Sequence, residues 1–266
     1  MRHTHNEQAP PIPLTSRDNP RIKQLRRLAQ AGGVDRRAGL MWVEGDHLCA
    51  ALLARAGVPV ALVSTPAGLA WVETWRRQNG LDPAVPVWTV TPALMRHISA
   101  LESPAPIACL ARVPAQPTWQ GDAPAVVLDR LQDPGNVGSI LRSASAFGVR
   151  QIVALRGTVA LWSSKVLRAG MGAHFHLHIL EGCEPGDLHA LRVPLLATSS
   201  HHGQWLHEAD LPWPCAWLFG HEGQGVQAAL QAQAALTVRI AQPGGEESLN
   251  VAAAAAICLH ASVEAR

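Results

Sequence analysis

The sequence lacks any apolar run long enough to cross a bilayer. Its longest, residues 251–259, is mostly alanine and stops at His260, far short of the ~20 residues a spanning helix requires. The first thirteen residues are polar and proline-bearing and hold no apolar segment of the signal-peptide kind. Neither a membrane anchor nor a secretory leader is expected, and the cytoplasm is the expected location. Charge is sparse as well: 16% of residues are charged against 48% apolar, a balance that excludes a disordered chain and points to a packed core. Cysteine occurs only at positions 49, 109, 183, 215 and 258. The number is odd and no pair has C-x-x-C spacing, which argues against a disulfide framework and a cysteine zinc site, so buried reduced thiols are expected. Neither a G-x-G-x-x-G fingerprint nor a G-x-x-x-x-G-K-[ST] loop is present, which argues against a dinucleotide or nucleoside-triphosphate site.

The 266 residues allow two modest domains. Net charge is only +2, but between positions 17 and 37 seven basic residues (Arg17, Arg21, Lys23, Arg26, Arg27, Arg36, Arg37) face only Asp18 and Asp35. Such a segment suits a phosphate backbone, and composition alone equally allows a solvated helix face. Residues 1–15 read as a disordered tail. Asn19-Pro20 then reads as a helix start, with Ile22, Leu25, Leu28 and Ala29 at helical spacing and Gly32-Gly33 as the stop. Up to residue 113, short apolar runs (40–44, 60–64, 85–90, 107–113) alternate with helical stretches, the pattern of an α/β layer structure. The segment 114–123 carries proline and glycine and marks a linker between a domain at 16–113 and a second at 124–266. In the second, strands are expected at 125–129, 151–155, 175–180, 195–199, 216–219 and 236–240. Helices are expected at 136–147 and 161–169, and from Ser248 to the end.

Three segments of that second half share one layout, a strand, a glycine-bearing polar loop and a helix. They are LDRLQDPGNVGSILRSASAFGV (128–149), LFGHEGQGV (218–226) and IAQPGGEESLNVAAAAAI (240–257). In an open α/β sheet ligands collect at the carboxyl ends of strands, and glycine lets backbone approach them. Each segment alone would be an ordinary turn.

Together and in this order, they resemble the signature motifs of the SpoU family of SPOUT-class RNA methyltransferases. N-x-G-x-x-x-R-x-A stands as Asn136, Gly138, Arg142 and Ala144; G-x-E-G-x-G stands as Gly220, Glu222, Gly223 and Gly225; E-S-L-N-V-A stands at 247–252. NPRIKQLRRL and the later Trp42-Val43-Glu44-Gly45 resemble the small ribosomal-protein-like substrate-binding domain of many members. The resemblance implies an α/β fold whose C-terminal part forms a deep trefoil knot, S-adenosylmethionine as cofactor, RNA as substrate and a homodimer. It implies methyl transfer to a ribose 2′-hydroxyl, with ribosomal RNA slightly favoured over transfer RNA. The alternatives are a non-catalytic RNA-binding protein with a retained knot and a base-directed SPOUT enzyme.

By the same resemblance the catalytic set is Asn136, Arg142, Glu222, Ser248 and Asn250. The cofactor contacts are Gly220, Ile240 and Leu249, with Thr198 as a weaker member. A ribose hydroxyl is scarcely ionised at neutral pH, so activation and alignment carry the reaction. Arginine is a strained choice as a base, so Arg142 is expected to contact phosphate and orient or polarise the 2′-oxygen, with Glu222 as a pairing partner. Asn136 and Ser248 also read as helix N-caps, and Arg142 as a helix-surface residue. The family usually reads Ile-Pro-Met before its third glycine region. Here Ile240-Ala241-Gln242 stands there with Pro243 after it, so the cofactor loop is expected to differ. His174, His176 and His178 alternate along an expected strand and would share a face like a metal ligand set. The preceding Met171-Gly172-Ala173 reads as an ordinary strand lead-in, so no metal is expected. Most of the nine tryptophans are expected in or near the core, with Trp42 and Trp162 as speculative RNA contacts.

Overall fold

A computed structural model describes residues 10–55, 59–79, 81–244 and 248–265. The chain divides into two compact units, Met1–Pro114 with Trp162–Leu167, and Ala115–Leu161 with Arg168–Arg266. The division leaves the short segment around Trp162 with the first unit, although its place in the sequence put it in the second.

The first unit runs β1 (Ile12–Leu14), α1 (Pro20–Gln30), β2 (Val34–Asp35), β3 (Leu40–Glu44), α2 (Asp46–Arg55), β4 (Ala61–Ser64), α3 (Pro66–Asn79), β5 (Val87–Val90), α4 (Pro92–Ile98) and β6 (Ile107–Arg112). Its mixed sheet has the order β1-β5-β4-β6-β3-β2. Strand β1 corrects the expectation of a disordered tail through residue 15. Ile12, Pro13 and Leu14 pair in parallel with Trp88, Thr89 and Val90, and Leu14 is 3% exposed. Three residues are too few to show a hydrophobic period, so a strand held by its neighbour's ladder is invisible in the local pattern. Helix α1 forms as its sequence suggests: Asn19 caps it by accepting from Arg21 N–H, Pro20 opens it, and Ile22, Leu25, Leu28 and Ala29 are buried. These pack with Leu94, Met95 and Ile98 of α4 on one sheet face, against Trp42, Val63, Trp88 and Leu110. Trp42 is 2% exposed, and its indole N–H donates to Glu44 at 2.9 Å inside the unit. Trp162 is 6% exposed. Neither indole is an exposed RNA contact, because both satisfy the core first.

The second unit contains β7 (Ala125–Asp129), α5 (Pro134–Ala146), β8 (Gln151–Leu155), α6 (Ser164–Ala169), β9 (His178–Cys183), β10 (Leu195–Thr198), β11 (Gln204–Trp205), β12 (Ala216–Gly220), α7 (Ala228–Gln231), β13 (Leu236–Arg239) and α8 (Val251–Glu264). α6 straddles the division between the units. The sheet order is β11-β13-β10-β12-β7-β8-β9 and every pairing is parallel. β7, β8 and β12 are buried at every position, which is why they read as unbroken apolar runs rather than alternations. The expected linker is pinned to this unit: Gln120 exchanges hydrogen bonds with the buried Gln151 side chain, and Arg192 pairs with Asp122. All five cysteines are buried and none forms a disulfide.

The strand expected at 175–180 begins instead at His178. Ala173–His176 is a short 3-10 helix that follows Gly172 in a left-handed conformation. His174 points into the protein and pairs with the Leu161 carbonyl at 2.9 Å. The alternation that placed three histidines on one face therefore does not exist. Among the described residues no cluster of His, Cys, Asp and Glu is arranged to hold a metal.

Candidate active site

Because the second sheet is wholly parallel, the loops after β7, β10, β12 and β13 all leave from one edge. β7 and β12 are neighbours, yet the chain leaves β7 towards β8 and leaves β12 towards β13, on the other side. Connections that diverge between adjacent parallel strands open a crevice, the usual ligand position in such sheets. The three motif loops converge at this switch point.

Asn136 is the hub. Asp133 caps α5 by accepting the Asn136 backbone N–H at 2.7 Å, so Asn136 is an inner residue of the first turn, not the cap. Its side chain is thereby free. The amide nitrogen donates to Glu222 Oε1 at 3.2 Å, and the amide oxygen accepts from Asn250 Nδ2 at 2.9 Å. One residue from each motif loop thus joins a single line, Glu222–Asn136–Asn250. Glu222 also accepts backbone N–H groups of Gln132 and Asp133, both at 3.3 Å. Partial burial opposes its ionisation, but hydrogen bonds from its own backbone, Asn136, Asp133 and Gln132 outweigh this and hold the carboxyl below its ordinary value. Asn250 has a second task. Its side-chain oxygen caps α8 through Ala252 N–H at 2.9 Å and Ala253 N–H at 3.3 Å. Asn250, and not Ser248, is the N-cap, because Ser248 lies too far ahead of the first helical N–H groups.

Arg142 stands apart from this line. It is exposed on α5, and Glu222's donors do not include it, so the expected Arg142–Glu222 pair is not formed. Six residues of helix separate Arg142 from Asn136, which turns it roughly 120° away around the axis. Of the remaining expected residues, Gly220 ends β12 and Thr198 ends β10, its hydroxyl donating to the Leu218 carbonyl at 3.4 Å. Ile240 follows β13 and is half-buried; Leu249, just before α8, is 38% exposed; Ser248 is exposed. Glu247 lies outside the described residues. A side chain on Gly220 would come within 2.2 Å of Gly225 and Val226 backbone, so the β12 loop folds back onto its own strand end.

A second cluster went unnoticed in the sequence. Asp129, the last residue of β7, is fully buried. It accepts from Arg130 Nε at 2.9 Å, Arg130 Nη2 at 3.4 Å, Gln227 N at 2.8 Å and Gln227 Nε2 at 2.6 Å. Arg130 takes a left-handed conformation, φ 59°, and also donates to Gln224 at 2.9 Å. This buried carboxylate fastens the β7 loop to the β12 loop, which carries Glu222. The available signal was an acidic residue closing an otherwise apolar strand; its partner Gln227, 98 residues away, was not legible.

Residues 123–260 match the model of the SpoU rRNA methylase family. The chain belongs to the SpoU family. An uncharacterised tRNA/rRNA methyltransferase of Synechocystis is 31% identical over 93% of this chain and 92% of its own length. A 23S rRNA guanosine-2′-O-methyltransferase of Bacillus subtilis is 28% identical, covering 82% of this chain and 86% of that protein. Among solved structures, an S-adenosylmethionine-bound rRNA methyltransferase from Sinorhizobium meliloti superimposes with a TM-score of 0.79 at 25% identity, over 95% of this chain and 97% of that one. In this SpoU chain the motif residues divide by task. Glu222, Asn136 and Asn250 form the polar line. Gly138 serves packing, since a side chain there would meet Ala169 Cβ at 2.4 Å and Gly170 N at 2.7 Å.

Proposed function

We propose that this SpoU-family protein transfers a methyl group from S-adenosylmethionine to a ribose 2′-hydroxyl of structured RNA, with ribosomal RNA slightly favoured over transfer RNA. The observation that carries this reading is the Glu222–Asn136–Asn250 line at the strand switch, one residue from each of three motif loops. We further read the C-terminal part as a trefoil knot, the active form as a cytoplasmic homodimer, residues 16–113 as the RNA-binding domain and 124–266 as the methyltransferase domain. Among the described residues no helix is long and apolar enough to cross a membrane.

The residues at the strand ends fit the cofactor. Gln242 has a buried side-chain oxygen with no donor, Leu249 leaves apolar surface exposed just before α8, and Gly220 keeps the neighbouring loop free of side-chain bulk. Gly220, Ile240 and Leu249 would hold it, with Thr198 at the adjacent strand end. Bound there, S-adenosylmethionine supplies an electrophilic methyl group on a sulfonium, whose leaving group is a neutral thioether needing no acid. The protein's work lies on the nucleophile. Asn136, locked between Glu222 and Asn250, has a fixed amide with which to orient the ribose. Glu222 stays ionised and anchors that amide. Arg142, exposed and unengaged with Glu222, is free to meet a phosphate and polarise the 2′-oxygen, while the exposed Ser248 offers a hydroxyl two residues before the Asn250 cap. Alignment of this kind is worth up to ~7–11 kcal/mol of the barrier in favourable cases.

The test is methyl transfer from isotopically labelled S-adenosylmethionine to RNA, followed by alkaline hydrolysis. A ribose methyl blocks cleavage at its site; a base methyl leaves cleavage intact and would establish the base-directed alternative. Absence of transfer with RNA binding retained would establish the non-catalytic one. Arg142→Ala is expected to bind cofactor normally and lose most activity; full activity in that variant removes Arg142 from the mechanism.

A further inference from the structure

The two faces of the first unit's sheet carry different charge. Helices α1 and α4 cover the face that presents Trp42, Val63, Trp88 and Leu110. Helices α2 and α3 cover the other: Cys49 of α2 donates to the Val43 carbonyl, and Leu69 and Val72 of α3 line a small cavity with Val87. The outer side of α2 and α3 mixes signs, with Asp46 and Arg55 exposed on one and Glu73 and Arg77 exposed on the other. The outer side of α1 and α4 does not. Arg21, Arg26 and Arg27 of α1, Arg17 just before it and Arg96 of α4 are all exposed. The acid just before α1, Asp18, is already paired with Lys23 at 2.9 Å.

The two helices are tied at the centre of this surface. Arg26 Nη1 donates to His97 Nε2 at 3.3 Å. Partial burial, then the positive charges of Arg26 and Arg17, push His97 below its ordinary value, so it is a neutral acceptor at neutral pH. That Arg17 and Arg26 both act on His97 places them together at α4. Arg21 lies over the Trp88 ring, 4.9 Å from its centre, which supports its guanidinium from beneath. A surface evolved only for solubility interleaves both signs. Like charges gathered without acids repel one another and are relieved by a polyanion.

We infer that the α1–α4 face of the first unit is the RNA-docking surface, binding the phosphate backbone through Arg17, Arg26, Arg27 and Arg96. The α2–α3 face takes no part. This goes beyond the basic segment visible in the sequence, because it recruits Arg96 from a distant helix and excludes the opposite side. It rests on the RNA reading above and is independent of the methyl-transfer reading.

The experiment measures binding of the full chain to a fluorescein-labelled RNA hairpin by anisotropy across a salt series, with cofactor affinity by calorimetry as a fold control. For the double variant Arg26→Gln/Arg96→Gln, affinity is expected to fall roughly tenfold or more. The slope of log K against log salt should shrink by about 1.5, two phosphate contacts' worth. Arg26→Lys/Arg96→Lys is expected to keep most of the slope. Arg55→Gln/Arg77→Gln, on the other face, is expected to bind as the unaltered chain does. An unchanged slope in the first variant, or an equal loss in the control, overturns the inference. If the unaltered chain binds the hairpin on this face yet transfers no methyl group to any RNA, the activity reading fails and this one stands.

Discussion

Asn136 occupies the one place where all three motif loops meet, and its side chain both donates and accepts there. Removing it leaves Glu222 and Asn250 each short of a partner while disturbing little of the core. Asn136→Ala is therefore expected to lower kcat by about a hundredfold, with cofactor affinity changed far less; transfer of labelled methyl groups measures the first and calorimetry the second. Because hydrogen bonds hold Glu222 below its ordinary value of 4.5, the line stays intact down to that pH, and no acid limb from this group should appear above it. His174 makes the clearest statement about stability. Burial pushes it down to about 4 from an ordinary 6.5, against the opposing pull of the Leu161 carbonyl. Between those values the unfolded chain binds a proton that the folded chain refuses. The contribution is therefore whole above pH 6.5 and is lost progressively as pH falls towards 4, by about 3 kcal/mol in all. Urea midpoints for the unaltered chain and for His174→Gln at pH 7.5 and 5 should converge or cross on acidification; parallel curves would falsify the assignment.

At the scale of elements, α5 and α8 are positioned by features that look catalytic in a motif. Gly138 lets α5 pack onto the segment at Ala169 and Gly170. Gly138→Ala forces a methyl group into that contact and is expected to destabilise the unit by about 1–3 kcal/mol, read as a lower thermal midpoint. Asn250→Ala should remove the α8 cap at a cost of about 1 kcal/mol, besides breaking the polar line. The Asp129 fastener is a stronger case. Its four hydrogen bonds compensate a carboxylate buried at a strand end, and replacement by alanine strands the Arg130 guanidinium and the Gln227 amide. Asp129→Ala is expected to cost about 3 kcal/mol or more and to loosen the loop that carries Glu222. Asp129→Asn, of the same shape, should recover part of the stability. Equal loss in both variants would show that the charge, not the shape, holds the loops.

Across the whole molecule, the net charge of +2 conceals a basic face on one unit, and the sequence order of the elements conceals the convergence of three loops in the other. What could be read locally was read well where strands are buried on both sides, as in β7, β8 and β12, and where a cap is explicit, as at Asn19. It failed where structure is imposed from outside: β1 exists because β5 offers it a ladder, and Ala173–His176 turns as a 3-10 helix where alternation suggested a strand. The homodimer reading belongs to this scale, and sedimentation at working concentration is expected to show one species of twice the chain mass. The sequence by itself determined the family, the three motif loops and the identity of Asn136, Glu222 and Asn250, because ordered motifs are one-dimensional patterns. Only the tertiary structure decided that Glu222 meets Asn136 instead of Arg142, that Asn250 and not Ser248 caps the last helix, and that Asp129 binds the loops together. The first and last of those contacts join residues about a hundred positions apart, and parallel-strand crossovers, which leave no local periodicity, bring them within hydrogen-bond distance.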